Sequence, residues 1–265
     1  MINPANVCLF IGPVNKNKRK LFLRIADSIQ KAGGSVIDGD FEAVKTLPDD
    51  VIPIIGASPE LSDSIDQWKA RGRNFIYWDR GYCRRTMATR LPRGEEGGFY
   101  RWHLNCFQMR TIRNVNGDRW RELKQPLSLW AVNPGGHIML AAGSPTYEKF
   151  HRIEGWAETT AAELRKYTDR EIRVSDKETL QPLSERIKGA HALVSHGSNA
   201  AVEAAIMGCP VFVYPGSAAA LIGKTDLSEI ETPVYPEREQ WVRSLAYSQF
   251  NEKELIDGTL WRLCS

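Results

Sequence analysis

Residues 190–215 read AHALVSHGSNAAVEAAIMGCPVFVYP, and the fold turns on this stretch. An apolar run ends in Ser195, His196 and Gly197 break it, and a run of small residues carries one helical face to Gly208. Pro210 to Tyr214 then opens a second apolar run, so the segment reads strand, tight turn, helix, strand. Ser198 or Asn199 suits the N-cap of the helix, whose unpaired N–H groups and dipole favour an anion. Gly197 and Ala200 leave room for a phosphate to approach the backbone. His196 stands at the carboxyl end of the strand, where open α/β sheets receive ligands, and Glu203 lies one helical turn past Asn199.

The same rhythm extends outward. Strands are expected at 137–142, 171–174, 190–195 and 210–214, with helices at 155–168, 180–188 and 199–207 between them. Upstream, strands at 6–12, 35–37, 51–55 and 74–78 alternate with helices at 16–33 and 59–71. Alternation of this kind builds parallel βαβ units, so two similar α/β domains in tandem are expected. The boundaries are 1–130, with a basic insert at 80–124, then 131–245, and a tail at 246–265. Residues 80–130 interrupt the rhythm and read as a loop-rich insert facing a cleft; helices follow at 237–247 and 252–255. Trp241, Phe250 and Trp261 read as packing residues.

Composition is that of a globular chain: 265 residues, 42% apolar, 25% charged, net charge +3. Disordered, collagenous and membrane-spanning classes are excluded on that ground. The first apolar run, Val7 to Ile11, is too short for a secretory leader. Five cysteines without a C-x-x-C pair indicate neither a zinc site nor a disulfide framework, and a reducing cytoplasm is the expected home. Charge is unevenly placed. Residues 80–124 carry 11 basic and 4 acidic side chains, which points to an anionic partner or, equally, to a solvated basic face.

The 190–215 segment resembles the donor-binding element of GT-B glycosyltransferases, in which a strand ending in His-Gly and a small-residue helix bearing Glu hold a nucleotide sugar. The GCPVFV that follows is similar as well. The turn is one residue shorter than the HCGWNSTLE form, and Gly-Ser-Ala-Ala-Ala replaces the Asp-Gln that follows the strand there. Short phage-encoded DNA glycosyltransferases and capsule-type members are closer. The resemblance implies two Rossmann-like domains facing a cleft, with a C-terminal helix returning to the first. It further implies His196, Gly197, Ser198 and Asn199 at the diphosphate of a donor such as a UDP-sugar, Glu203 at the ribose, and the Gly143-Ser144 loop beside the phosphates. No cofactor is implied beyond that donor substrate.

Other candidates come from the residues themselves. Arg173 and Lys177 flank a strand end and could neutralise diphosphate charge, or be surface charges. Gly12 follows the first strand, where a ligand could approach or the chain simply turn. Asp79 and His103 are candidate catalytic bases for the acceptor hydroxyl, with Asp38 and Asp40 as rivals; Asp79 could instead pair with Arg80 or Arg84. Arg80, Tyr82, Arg101, Asn105 and Gln108 are candidate acceptor-binding residues, Arg101 because its planar fork grips oxygens in pairs.

The expected reaction is sugar transfer to a hydroxyl. No D-x-D motif stands at a strand end in the setting a metal site would need, so leaving-group charge is expected to fall on the protein rather than on a metal. Basic residues interleaved with aromatics suit a nucleic-acid strand, which makes a hydroxymethylated pyrimidine in phage DNA the leading expected acceptor. A bacterial surface polysaccharide is the alternative, as is a catalytically silent protein binding a nucleotide or nucleic acid.

Overall fold

The structure, a computed structural model, describes residues 2–13, 16–83, 98–175 and 181–263. The chain divides into two compact units, 1–107 with 247–265, and 108–246.

The first unit contains strands β1 (Val7–Ile11), β2 (Ser35–Asp38), β3 (Ile52–Ile55), β4 (Ile76–Arg80) and β5 (Tyr100–Leu104). Helices α1 (Lys16–Lys31), α2 (Phe41–Lys45) and α3 (Ser62–Ala70) connect the first four. The sheet runs β2-β1-β3-β4 in parallel, then β5 antiparallel, then a two-residue strand from the chain's end, Gln249–Phe250. Every residue of β1 is buried, as a central strand covered on both faces requires. On α1, Phe22, Ile25, Ala26 and Ile29 recur at helical spacing and enter one core with Leu9, Ile11, Ile54 and Trp78. Each such side chain removed from water contributes roughly 1.5–3 kcal/mol.

β5 corrects the sequence reading of an irregular insert. Tyr100-Arg101-Trp102-His103-Leu104 alternates between the two faces of the sheet. Trp78, Tyr100 and Trp102 lie on the α1 side, with Trp102 against Trp261 at 6.1 Å. Arg101 and His103 lie on the other, opposite Asp79 and Tyr77 respectively. The interleaving of rings and charges is therefore the period of a strand with buried side chains, Trp102 and Arg101, on its two faces. Residues 84–97 of the insert lie outside the described residues.

The second unit repeats the strand order. Strands β6 (Ile138–Ala141), β7 (Ile172–Ser175), β8 (Ala192–Ser195) and β9 (Val211–Val213) form a parallel sheet ordered β7-β6-β8-β9. Helix α4 (Asp118–Leu123) precedes it, and α5 (Pro145–His151), α6 (Trp156–Leu164), α7 (Leu183–Arg186) and α8 (Asn199–Ile206) lie between its strands. Its core joins Ile138, Leu140, Val194, Phe212 and Leu164. Helix α9 (Glu239–Ala246) closes the unit, with its own Trp241 fully buried. In both sheets the order of the first four strands reverses between the first and third, the switch point at which ligands of such folds sit.

Residues 108–130, assigned from sequence to the first domain, belong by their contacts to the second unit. Ser128 and Ala131 bond to the backbone at Ile206 and Gly208, and Arg238 binds carbonyls of both Ser128 and Ala205 while lying 3.6 Å over Trp130. Gly208 stops α8 with φ +89°, and a Cβ there would meet the Leu129 carbonyl, so only glycine serves.

The tail packs with the first unit. Gln249–Phe250 is the strand β10, which pairs with β5, and α10 (Glu252–Ile256) and α11 (Thr259–Leu263) put Leu255 and Leu260 into the α1 core. Among the described residues no helix is long and apolar enough to cross a membrane.

Candidate functional site

The loops after β6, β8 and β9 meet around His196. Its Nδ1 lies 2.9 Å from the Tyr147 hydroxyl, and its ring stacks on Tyr214 at 4.5 Å and 10°. His151 and Trp156 stand 5.4 and 6.2 Å from the same ring. Burial among these rings pushes the His196 pKa down to about 4, so the imidazole is neutral near pH 7. A Tyr147 hydroxyl that donates to Nδ1 leaves the ring's proton on Nε2, whereas in the opposite tautomer Nδ1–H donates to the hydroxyl. Among the described residues no protein group hydrogen-bonds that Nε2.

The turn is fixed from below. Ser195 Oγ donates to Ala141 O and accepts from Ser198 N, tying β8 to β6. Gln108, 4% exposed, donates to Gly197 O at 2.6 Å and accepts from Ala218 N at 2.9 Å. A Cβ on residue 197 would stand 2.6 Å from the Tyr147 hydroxyl, so a larger residue there would have to displace that side chain. Ser198 caps α8 by accepting from Ala200 N. Since the N–H groups of Ser198 and Ala200 are engaged within the turn, an anion would be met by Nε2 and the helix dipole rather than by a ring of open amides.

The sequence-derived donor residues fall into two sets. His196, Gly197, Ser198 and Asn199 lie in this turn, and Gly143 and Ser144 form the neighbouring β6–α5 loop, with Ser144 capping α5 by accepting from Tyr147 N. Asn199 is buried and Glu203 half-buried on α8. Arg173 does not join them. It lies mid-strand on the edge strand β7, exposed and paired with Glu171 at 2.7 Å, which raises its pKa. Lys177 lies outside the described residues. A cation at the loop after β9 is Arg110, which donates to Pro215 O at 2.8 Å and lies close to Gly216 beside the Tyr214 ring. Sequence reading missed Tyr147, His151, Tyr214 and Arg110. Only Tyr147 left a trace, in the Ser-Pro start of a helix directly after a strand.

In the first unit, the candidate acceptor residues form a separate network. Asp79 Oδ2 pairs with Arg101 Nη2 at 2.8 Å, and Arg101 lies over the Tyr82 ring at 5.2 Å. The Tyr82 hydroxyl is 2.8 Å from His103 Nε2. Arg101 and Tyr82 are buried; Asp79 keeps 39% of its side chain exposed. Arg80 is half-buried and its N–H donates to Asp79 Oδ1; the alternative partner Arg84 lies outside the described residues. Gln108 belongs to the second unit as the clamp described above. Asn105, with φ +57°, accepts from Phe75 N and donates to Asn74, which makes it the keystone of the turn ending β5. Gly12 is buried against the Phe10 ring. Of the rival acids, Asp38 pairs with Arg19 and Asp40 caps α2.

No family model and no curated protein sequence matches the chain. Among solved structures, it is similar to Thermosulfurimonas dismutans KpsC, beta Kdo 2,7 transferase: TM-score 0.52 at 11% identity, over 96% of this chain and 99% of that one. The likeness is one of fold. A second structure from that organism, KpsC, beta Kdo 2,4 transferase, aligns with TM-score 0.49 at 10% identity, over 95% of this chain and 97% of the other.

Proposed function

We propose that the chain is a glycosyltransferase that moves a sugar from a nucleotide sugar to a hydroxyl of a bacterial surface polysaccharide. The observation that carries this reading is the neutral, ring-caged His196 at the switch point of the second sheet, its Nε2 without a protein partner among the described residues. A neutral imidazole with its proton on Nε2 donates to a phosphoryl oxygen, and the dipole of α8 and the Arg110 guanidinium favour the same negative charge. As the glycosyl carbon leaves the phosphate oxygen and bonds the acceptor oxygen, these groups take up the charge gained by the leaving nucleotide, with no metal needed for that purpose. The acceptor's proton passes to a base of the chain, for which Asp79 and His103 are the proposed residues.

A glycan is favoured over DNA because, among the described residues, several of the basic and aromatic side chains that suggested a nucleic-acid strand are taken up within the protein. Arg101, Tyr82, Trp78 and Trp102 are buried, and Arg119 binds the Ala246 carbonyl. The fold neighbour KpsC, a beta Kdo 2,7 transferase, agrees with sugar transfer. The test is a screen of labelled UDP-, GDP- and CMP-sugars against oligosaccharide acceptors and hydroxymethylated DNA. Transfer to a glycan, lost in His196→Ala, supports the reading. Transfer to DNA, or none from any donor, overturns it.

A further inference from the structure

A cavity of about 360 Å³ opens in the first unit, lined by residues of α2, α3 and the turns that follow them. Trp68 and Arg73 line it together with Arg71, Asp49, Asp63 and Ser64. Arg73 is 7% exposed, and its guanidinium lies 5.0 Å from the Trp68 ring centre. One nitrogen donates to Pro48 O at 2.9 Å and lies 3.4 Å from Val51 O; another faces Asp49 across 3.6 Å, beyond hydrogen-bonding reach; Nε has no acceptor among the described residues. Asp49 itself is 75% exposed. The charge of Arg73 is thus buried with only the exposed Asp49 as its ion-pair partner, at 3.6 Å, and with Nε left without an acceptor among the described residues. Its pKa is lowered by that burial, against the weaker pull of Asp49.

We propose that this cavity binds an anionic saccharide, a hydroxylated ring bearing a single carboxylate. The carboxylate meets Arg73 and Arg71, the latter steered by a 3.2 Å bond from its Nη2 to Gln67. Ring hydroxyls donate to Asp49 and Asp63 and exchange hydrogen bonds with Ser64. The two carboxylates in the lining favour this ligand over a dianionic phosphate, which they repel and to which they offer no donor. Lys45, also in the lining, is held by Glu42 at 2.7 Å and so adds little free charge. The proposal does not rest on the glycosyl-transfer reading.

Calorimetric titration of the full chain with glucuronate, glucose, acetate and inorganic phosphate tests it. Glucuronate binds saturably, and glucose and acetate bind about tenfold more weakly or less, as loss of one charge-assisted contact requires. The Trp68 indole N–H signal shifts on binding. Arg71→Gln, at the exposed rim, weakens glucuronate about tenfold without unfolding the chain, and Lys188→Gln, on the second unit, changes nothing. Arg73→Lys abolishes binding; should it unfold, Arg71→Gln and Ser64→Ala carry the test. Glucuronate no tighter than acetate, phosphate tighter than glucuronate, or affinity unchanged in Arg71→Gln overturns the proposal.

Discussion

The Tyr147 hydroxyl stands 2.9 Å from Nδ1 of His196, joining the first helix of the second unit's sheet to the turn after its third strand. That bond orients the ring and decides which nitrogen carries the proton. Tyr147→Phe keeps the ring packing but frees the tautomer. Nitrogen NMR of His196 should then show a mixture of tautomers in place of one. Nucleotide-sugar affinity should drop about fivefold, the equivalent of one ordinary hydrogen bond of ~1 kcal/mol. An unchanged tautomer would mean that Tyr147 only packs.

Stability should depend on pH through the same ring. The folded pKa of about 4 lies below the ordinary value of 6.5, so between these limits the unfolded chain binds more protons than the folded one. The contribution is complete above about pH 6.5 and is lost as pH falls toward 4. Solvent reaches part of the ring, which holds the effect to at most ~2 kcal/mol. Urea unfolding at pH 7, 5.5 and 4.5 should show this decline in the wild type and a shallower one in His196→Gln.

Gln108 was expected from sequence to bind an acceptor, yet it spans Gly197 O and Ala218 N in the interior. Gln108→Leu strands both groups. It should cost about 2–4 kcal/mol, two unsatisfied buried partners at 1–2 each, and should weaken donor binding because the His196 turn loosens. Denaturant midpoints and nucleotide binding measured together check both effects. A stable variant with normal binding would remove Gln108 from the site's support.

Asp79 is the close counter-ion of buried Arg101, so removing its charge tests structure and chemistry at once. Asp79→Asn should destabilise the first unit by roughly 1–3 kcal/mol, discounted because Asp79 is partly exposed. If it is also the base, turnover falls far more than stability explains while donor affinity holds. His103→Gln separates the two candidates, since its bond to Tyr82 can be kept by an amide.

How far the sequence could be read follows from where the signals lie. Continuous apolar runs such as CLFI and HIMLA announce parallel buried strands, and the Ser198 cap and Gly208 stop mark α8 within one residue. β5 was missed because Tyr100 and Trp102, interleaved with Arg101 and His103, look like a binding surface. Their strict alternation, the sign of a strand, becomes informative only once both faces are known to be covered. The tail strand at Gln249 is two residues long, too short to carry a period. Tyr147 and His196 are 49 residues apart, and only the parallel pairing of β6 with β8 brings their loops together. Arg173 shows the converse: a basic residue near a strand end, whose register leaves it mid-strand beside Glu171.

The central claim is that the turn at His196 receives the phosphate of a nucleotide sugar. Calorimetric titration of UDP, GDP and CMP and their sugars into wild type and His196→Ala tests it most directly. Saturable binding of at least one nucleotide sugar, weakened about tenfold or more by the substitution, is the expected result for a lost charge-assisted contact. Equal affinity in both proteins, or binding of no nucleotide by the wild type, would contradict it.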